Sequence, residues 1–182
     1  SEFISSEGLI RNAFKSLVKL KFEESERPFG IQIFGHRKES MVHAAQIIEE
    51  YQPDFIDLNF GCPVKKVVAK GAGAAMLKTP EEMLKITKAV VDAVKLPITV
   101  KTRVGWSPNQ IIIGQLGPQL QDCGIAALSI HARTATQLYG GIADRNPIKE
   151  LVSSGKMNIP IFGNGDITTA TQAIEKKQST AV

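Results

Sequence analysis

Short apolar runs and longer amphipathic stretches take turns along this chain. Positions 29–34, following Pro28, form the first clear apolar run and read as a strand. Positions 38–51 come next, with Met41, Ala44, Ala45, Ile48 and Tyr51 at helical spacing. Phe55-Ile56-Asp57-Leu58-Asn59 is a second strand, and a Lys/Gly/Ala-rich loop is expected over 63–78. Thr79-Pro80-Glu81-Glu82 has the form of a capping box with Pro at the first helical position, and predicts a helix to about Val94. The alternation continues with a strand over 97–101. A helix is then opened by Ser107-Pro108-Asn109-Gln110 and runs to near Gly124, with Pro118 expected to kink or shorten it. A strand over 126–131, a helix from Asn146-Pro147 to before Gly155, a strand over 159–162 and a helix over 168–177 complete the series. Ser1-Glu2-Phe3-Ile4 has the look of the tail of a strand, and Thr180-Ala181-Val182 of the lead into another.

Strands alternating with helices predict an α/β fold built of βα units around a parallel sheet. No linker or low-complexity tract interrupts residues 1–182, so a single domain is expected. Gln32, Asn59, Lys101, His131 and Asn164 each fall in or just past a strand end. In a TIM (β/α)8 barrel those ends converge on one face, where active sites form. A doubly wound sheet would gather its site at one crevice from fewer strands. Five strands and a leading remnant fall short of the roughly eight units and ~250 residues of a full barrel. The expectation is therefore an incomplete barrel, lacking its first strand and its last βα unit.

Composition adds modest limits. With 43% hydrophobic and 22% charged residues, the 182-residue chain has the make-up of one globular domain. No apolar run is long enough to span a bilayer and residues 1–10 do not form a signal peptide, so no membrane partner is expected and a cytoplasmic location is. Cys62 and Cys123 are too few for a disulfide framework and lack metal-ligand spacing, so no metal site is expected. The formal charge of +4 permits a polyanionic partner without demanding one.

Cys62 is the first chemical candidate. Lying between Gly61 and Pro63 just past a strand, its backbone is held in a turn, and its thiol is expected to project above the sheet. Thiols are mostly protonated at neutral pH, as a proton donor needs to be. The bland alternative is a structural cysteine, which is the reading given to Cys123 beside Gly124. Gly163-Asn164-Gly165-Asp166 is a tight loop ahead of a helix, where backbone N–H groups can cradle a phosphate. Gly71-Ala72-Gly73 follows a loop rather than a strand and lacks a third glycine, so it is no dinucleotide fingerprint; it is read as part of a mobile loop with Lys65, Lys66 and Lys70.

Six stretches then carry a family resemblance. They are 27–35 (Arg-Pro-Phe-Gly-Ile-Gln-Ile-Phe-Gly), 57–66 with its Asn59-Phe60-Gly61-Cys62-Pro63, 70–77, 100–106 (Val-Lys-Thr-Arg-Val-Gly-Trp), His131-Ala132-Arg133-Thr134 and Gly163-Asn164-Gly165-Asp166-Ile167. In this order, over nearly the whole length, the chain resembles the tRNA-dihydrouridine synthases. The resemblance implies a TIM barrel with FMN across its mouth and a helical tRNA-gripping domain, for which these residues hold no counterpart. It implies NADPH as reductant of the flavin, hydride transfer to C6 of a tRNA uridine, and Cys62 as the general acid at C5.

The family also implies residue roles. Lys101 would set a cation beside the flavin, Gln32 and Asn59 would hydrogen-bond flavin and substrate, and His131 would lie by the flavin. Gly163, Asn164, Gly165 and Asp166 would hold its phosphate. Lys65, Lys66, Arg103, Arg133 and Thr134 would face the RNA or uracil, with flavin and solvent also open to Arg103. Gln32 and Asn59 could instead be polar plugs of the barrel mouth, and the lysines a solvated charge run. Two departures stand out: Arg145 occupies a position where an aromatic residue is usual, and a second phosphate segment of Gly-Arg-Gly type is missing. Another FMN-dependent barrel oxidoreductase acting on a small molecule, or an inactive barrel fragment, are the competing readings.

Overall fold

The computed structural model describes residues 3–180. Six strands form one parallel sheet in strictly sequential order: β1 (Ile4–Ser5), β2 (Gly30–Phe34), β3 (Phe55–Asn59), β4 (Ile98–Arg103), β5 (Ala127–His131) and β6 (Ile161–Asn164). The order never reverses, so there is no switch point of the doubly wound kind. Each crossover carries helical structure, and the architecture fits a partial (β/α)8 barrel.

Alternation along the strands decides what faces where. Ile31, Ile33, Ile56, Leu58, Ile98, Val100, Leu128 and Ile130 are all essentially buried and pack in the main core. That core lies under the helices α3 (Lys38–Glu49), α5 (Pro80–Ala93), α6 (Ile113–Asp122) and α7 (Asn146–Ser153). Because successive side chains point to opposite faces, the intervening residues look to the other side. The register sets Gln32 beside Asp57, Asn59 beside Lys101, Arg103 beside His131 and His131 beside Asn164. The concave face of the sheet is thus polar, and its polar rows step along from strand to strand.

Several elements differ from their sequence expectation. Residues 63–78 are not a mobile loop: they hold the short helix α4 (Lys65–Val68) and a 3-10 helix at Gly73–Lys78. Thr79 makes no side-chain cap; helix α5 starts from Pro80 and from the Thr79 carbonyl, which accepts the N–H groups of Glu82 and Met83. Ser107–Gln110 is a turn rather than a helix start, since Gln110 N–H donates to Ser107 O and Gly105 bridges Ile111. Helix α6 begins only at Ile113 and runs through Pro118 to Asp122. Strand β6 sits two residues later than expected and takes in Asn164; the last helix, α8, spans Ala170–Thr180. The leading strand pairs through Ile4 and Ser5; Ser1, Glu2, Ala181 and Val182 lie outside the described residues. Among the described residues no helix is long and apolar enough to cross a membrane.

Candidate active site

The carboxyl ends of β2 to β6 open into a cleft of about 480 Å3 lined by Gln32, Asn59, Cys62, Lys101, Arg103, His131, Tyr139, Asn164 and Gly165, among others. Residues far apart in sequence, from Phe3 to Gly165, meet here because parallel strands deliver their ends to the same side.

Cys62 lines this cleft but is only 8% exposed, so its thiol does not stand free above the sheet. Val67 of α4 and Ala72 pack against it. Its carbonyl accepts the Ala74 N–H at 2.9 Å, and a Cβ on Gly73 would come 2.6 Å from that same oxygen, with Gly73 at φ +59°. Gly73 therefore serves a close approach of chain to chain. The Cys62 backbone N–H donates to Asn59 Oδ1 at 2.9 Å, and that of Gly61 to the same atom at 3.1 Å.

Lys101 projects from β4 half-buried, and among the described residues its ammonium forms no hydrogen bond or ion pair. Burial lowers its pKa and nearby Asp57 partly restores it. His131 is held near pKa 4 by burial and by Arg103, Lys101 and Arg133 around it. It is therefore neutral at neutral pH. Arg133 Nη1 lies 3.3 Å from His131 Nε2; since a guanidinium can only donate, Nε2 carries the lone pair and the proton sits on Nδ1. Asn164 Oδ1 is buried and, among the described residues, has no hydrogen-bond partner.

The arginines predicted to face RNA are turned inward. Arg103, 2% exposed, donates through Nε to Gly61 O (2.9 Å) and through Nη1 to Thr134 O (2.9 Å) and Leu138 O (2.7 Å). Arg133, 6% exposed, donates to Gly140 O, Gly141 O and Asp166 Oδ1. Thr134 is engaged with Gln137 through both its N–H and its hydroxyl. These three residues build the wall. Asp166, in turn, accepts from the Ala143 N–H and from Arg133, which lower its pKa. Lys65 and Lys66 are exposed on α4, two residues beyond Pro63 of the cleft lining. Arg145 hydrogen-bonds the Gly165 carbonyl, so it supports the Gly-Asn-Gly turn through its guanidinium. Cys123 lies half-buried against Leu84 O, away from the cleft, as a packing residue.

Asp57 was not singled out by sequence reasoning. Its carboxylate is buried beneath the cleft, accepts from Gln32 Nε2 (2.6 Å) and Thr99 Oγ1 (2.5 Å), and has its pKa raised by burial. The available signal was an acid inside an apolar strand, two residues before Asn59 and hence on the same face.

The chain is similar in sequence to known proteins. The family model described as Dihydrouridine synthase (Dus) matches residues 1–182. A probable tRNA-dihydrouridine synthase of Treponema pallidum (strain Nichols) is 34% identical over 100% of this chain and 56% of its own length. The tRNA-dihydrouridine synthase B proteins of Vibrio vulnificus (strain CMCP6) and Escherichia coli (strain K12) are 39% and 37% identical, each over 95% of this chain and 53% of theirs. The chain thus spans about half the length of the curated relatives it matches. It belongs to the dihydrouridine synthase family.

Proposed function

We propose that this chain carries the uridine-reducing site of a tRNA-dihydrouridine synthase, with FMN held in the cleft, NADPH as reductant and a tRNA uridine as substrate. The supporting observation is the convergence of Gln32, Asn59, Cys62, Lys101, His131 and Asn164 on one cleft. Two features fit a flavin there. The partnerless Asn164 Oδ1 calls for a donor, and the Lys101 ammonium calls for an electron-rich edge. Gly165, at φ +116°, has no room for a Cβ beside Ala143 and His131, which keeps the backbone close to whatever the turn holds.

FMN held here by Lys101, His131, Gln32, Asn59 and the 163–166 turn would supply hydride chemistry, with NADPH as its source, toward C6 of the uracil. Cys62 holds a proton on Sγ for C5, so the 5,6 double bond gains one hydride and one proton. Gln32 and Asn59 orient the ring partners, and neutral His131 contributes an N–H donor rather than a charge. Arg103, Arg133 and Thr134 hold the wall around the reacting atoms. Lys65 and Lys66, exposed beside Cys62, meet the RNA backbone.

Visible absorption of the purified chain with added FMN, followed by tRNA reduction with NADPH, tests the reading. A flavin band that persists through desalting and reoxidation of the reduced flavin by tRNA are expected. Cys62→Ala should keep the band while tRNA reduction falls by about a hundredfold or more, the typical contribution of a positioned acid. A chain that holds no FMN, or a reduced flavin reoxidised only by a free pyrimidine, overturns the proposal.

A further inference from the structure

Beneath the cleft runs an unbroken series of side-chain hydrogen bonds. Thr99 Oγ1 donates to Asp57 Oδ1, Gln32 Nε2 donates to Asp57 Oδ2, and Asn59 Nδ2 donates to Gln32 Oε1 at 2.7 Å. Asn59 Oδ1 then accepts the backbone N–H groups of Gly61 and Cys62. An amide carries an acceptor at one end and donors at the other, so each link dictates the next. The two backbone N–H groups are donors only, and the Asn59 atom that meets them must be oxygen. Its NH2 therefore points at Gln32, which must present oxygen. The Gln32 NH2 is left pointing away from Asn59, and it needs an acceptor there. Asp57 supplies one that no rotation can turn into a donor while it is ionised.

We infer that Asp57 is a positioning residue for the candidate active site: through the amides of Gln32 and Asn59 it fixes the Gly61–Cys62 backbone, and with it the place of the Cys62 thiol. The same arrangement fixes what the amides offer to the cleft. The Asn59 NH2 keeps one N–H beyond its bond to Gln32. With Lys101 in the next strand, this part of the wall is built for a ligand edge carrying acceptors. The consequence for catalysis rests on the proposed reaction; the positioning itself does not.

Amide hydrogen exchange of the full chain, without flavin or RNA, tests it. Asp57→Leu should speed exchange at Gly61 and Cys62 by about fivefold to tenfold, the size expected from loosening one hydrogen-bonded link. The amides of β4 and β5 should keep their rates. Asp57→Asn combined with Gln32→Glu keeps a hydrogen bond at each of the three side-chain links, with the carboxylate moved one link along, and should exchange like the parent. Should Asp57→Leu fail to fold, Gln32→Met cuts the same series nearer Asn59, and the same local acceleration is expected. Unchanged exchange at Gly61 and Cys62, a uniform rise across the sheet, or a combined variant as loose as Asp57→Leu each overturns the inference. None of these outcomes depends on flavin binding, so this idea and the proposed reaction fail separately.

Discussion

His131 illustrates how neighbours fix a side chain's state. Burial and three cations hold its pKa near 4, below the ordinary 6.5 of the unfolded chain. Between those values the unfolded chain binds the proton and the folded one does not, so this part of the stability is present above pH 6.5 and is lost as pH falls toward 4. Replacing it by a non-titrating group, His131→Asn, should remove that pH dependence. Urea titrations at pH 7.5 and pH 4.5 should show the parent losing on the order of 2 kcal/mol more than the variant. That Gln32, Asn59, Cys62, Lys101, His131 and Asn164 meet in one cleft was legible because strand-end polar positions stand out against apolar runs. Asp57 was hidden because an acid within an apolar strand gives no hint of which amide it meets; the parallel pairing of β2 and β3 brings Gln32 to it. The inward turn of Arg103 and Arg133 was equally hidden. Whether an arginine reaches solvent or carbonyl oxygens depends on loops whose course has no periodicity to read.

At the scale of elements, strand β3 and helix α7 lie where hydrophobic spacing and the Asn-Pro start put them. Segment 63–78 does not follow composition, since small residues and lysines resemble a loop while their packing on Cys62 makes two short helical turns. Gly73 carries that packing. Gly73→Ala places a Cβ against Cys62 O and Val67 Cγ1 in left-handed backbone. It should cost on the order of 2 kcal/mol, read from the urea midpoint. An unchanged midpoint would mean that the segment rearranges freely around Cys62. The turn at Ser107–Gln110 misled for a different reason. Ser, Pro and Asn open helices and turns alike, and the choice is made by Gly105, whose missing Cβ lets Gln110 O approach.

For the whole molecule, sequential strand order follows from each βα unit placing its strand beside the last. Strand β6 ends that order and carries Phe162, 59% exposed, with Ile174 of α8 also exposed.

The Arg103 guanidinium reaches one loop after β3 and two points after β5 at once. Parting those loops would strand a buried cation among carbonyls that have no other donor from it. The stretch of cleft rim from Gly61 to Leu138 must therefore move as one jaw. A ligand cannot be admitted by prising Tyr139 away from Cys62. Whatever enters the cleft therefore meets Tyr139 and Cys62 as two parts of one braced rim.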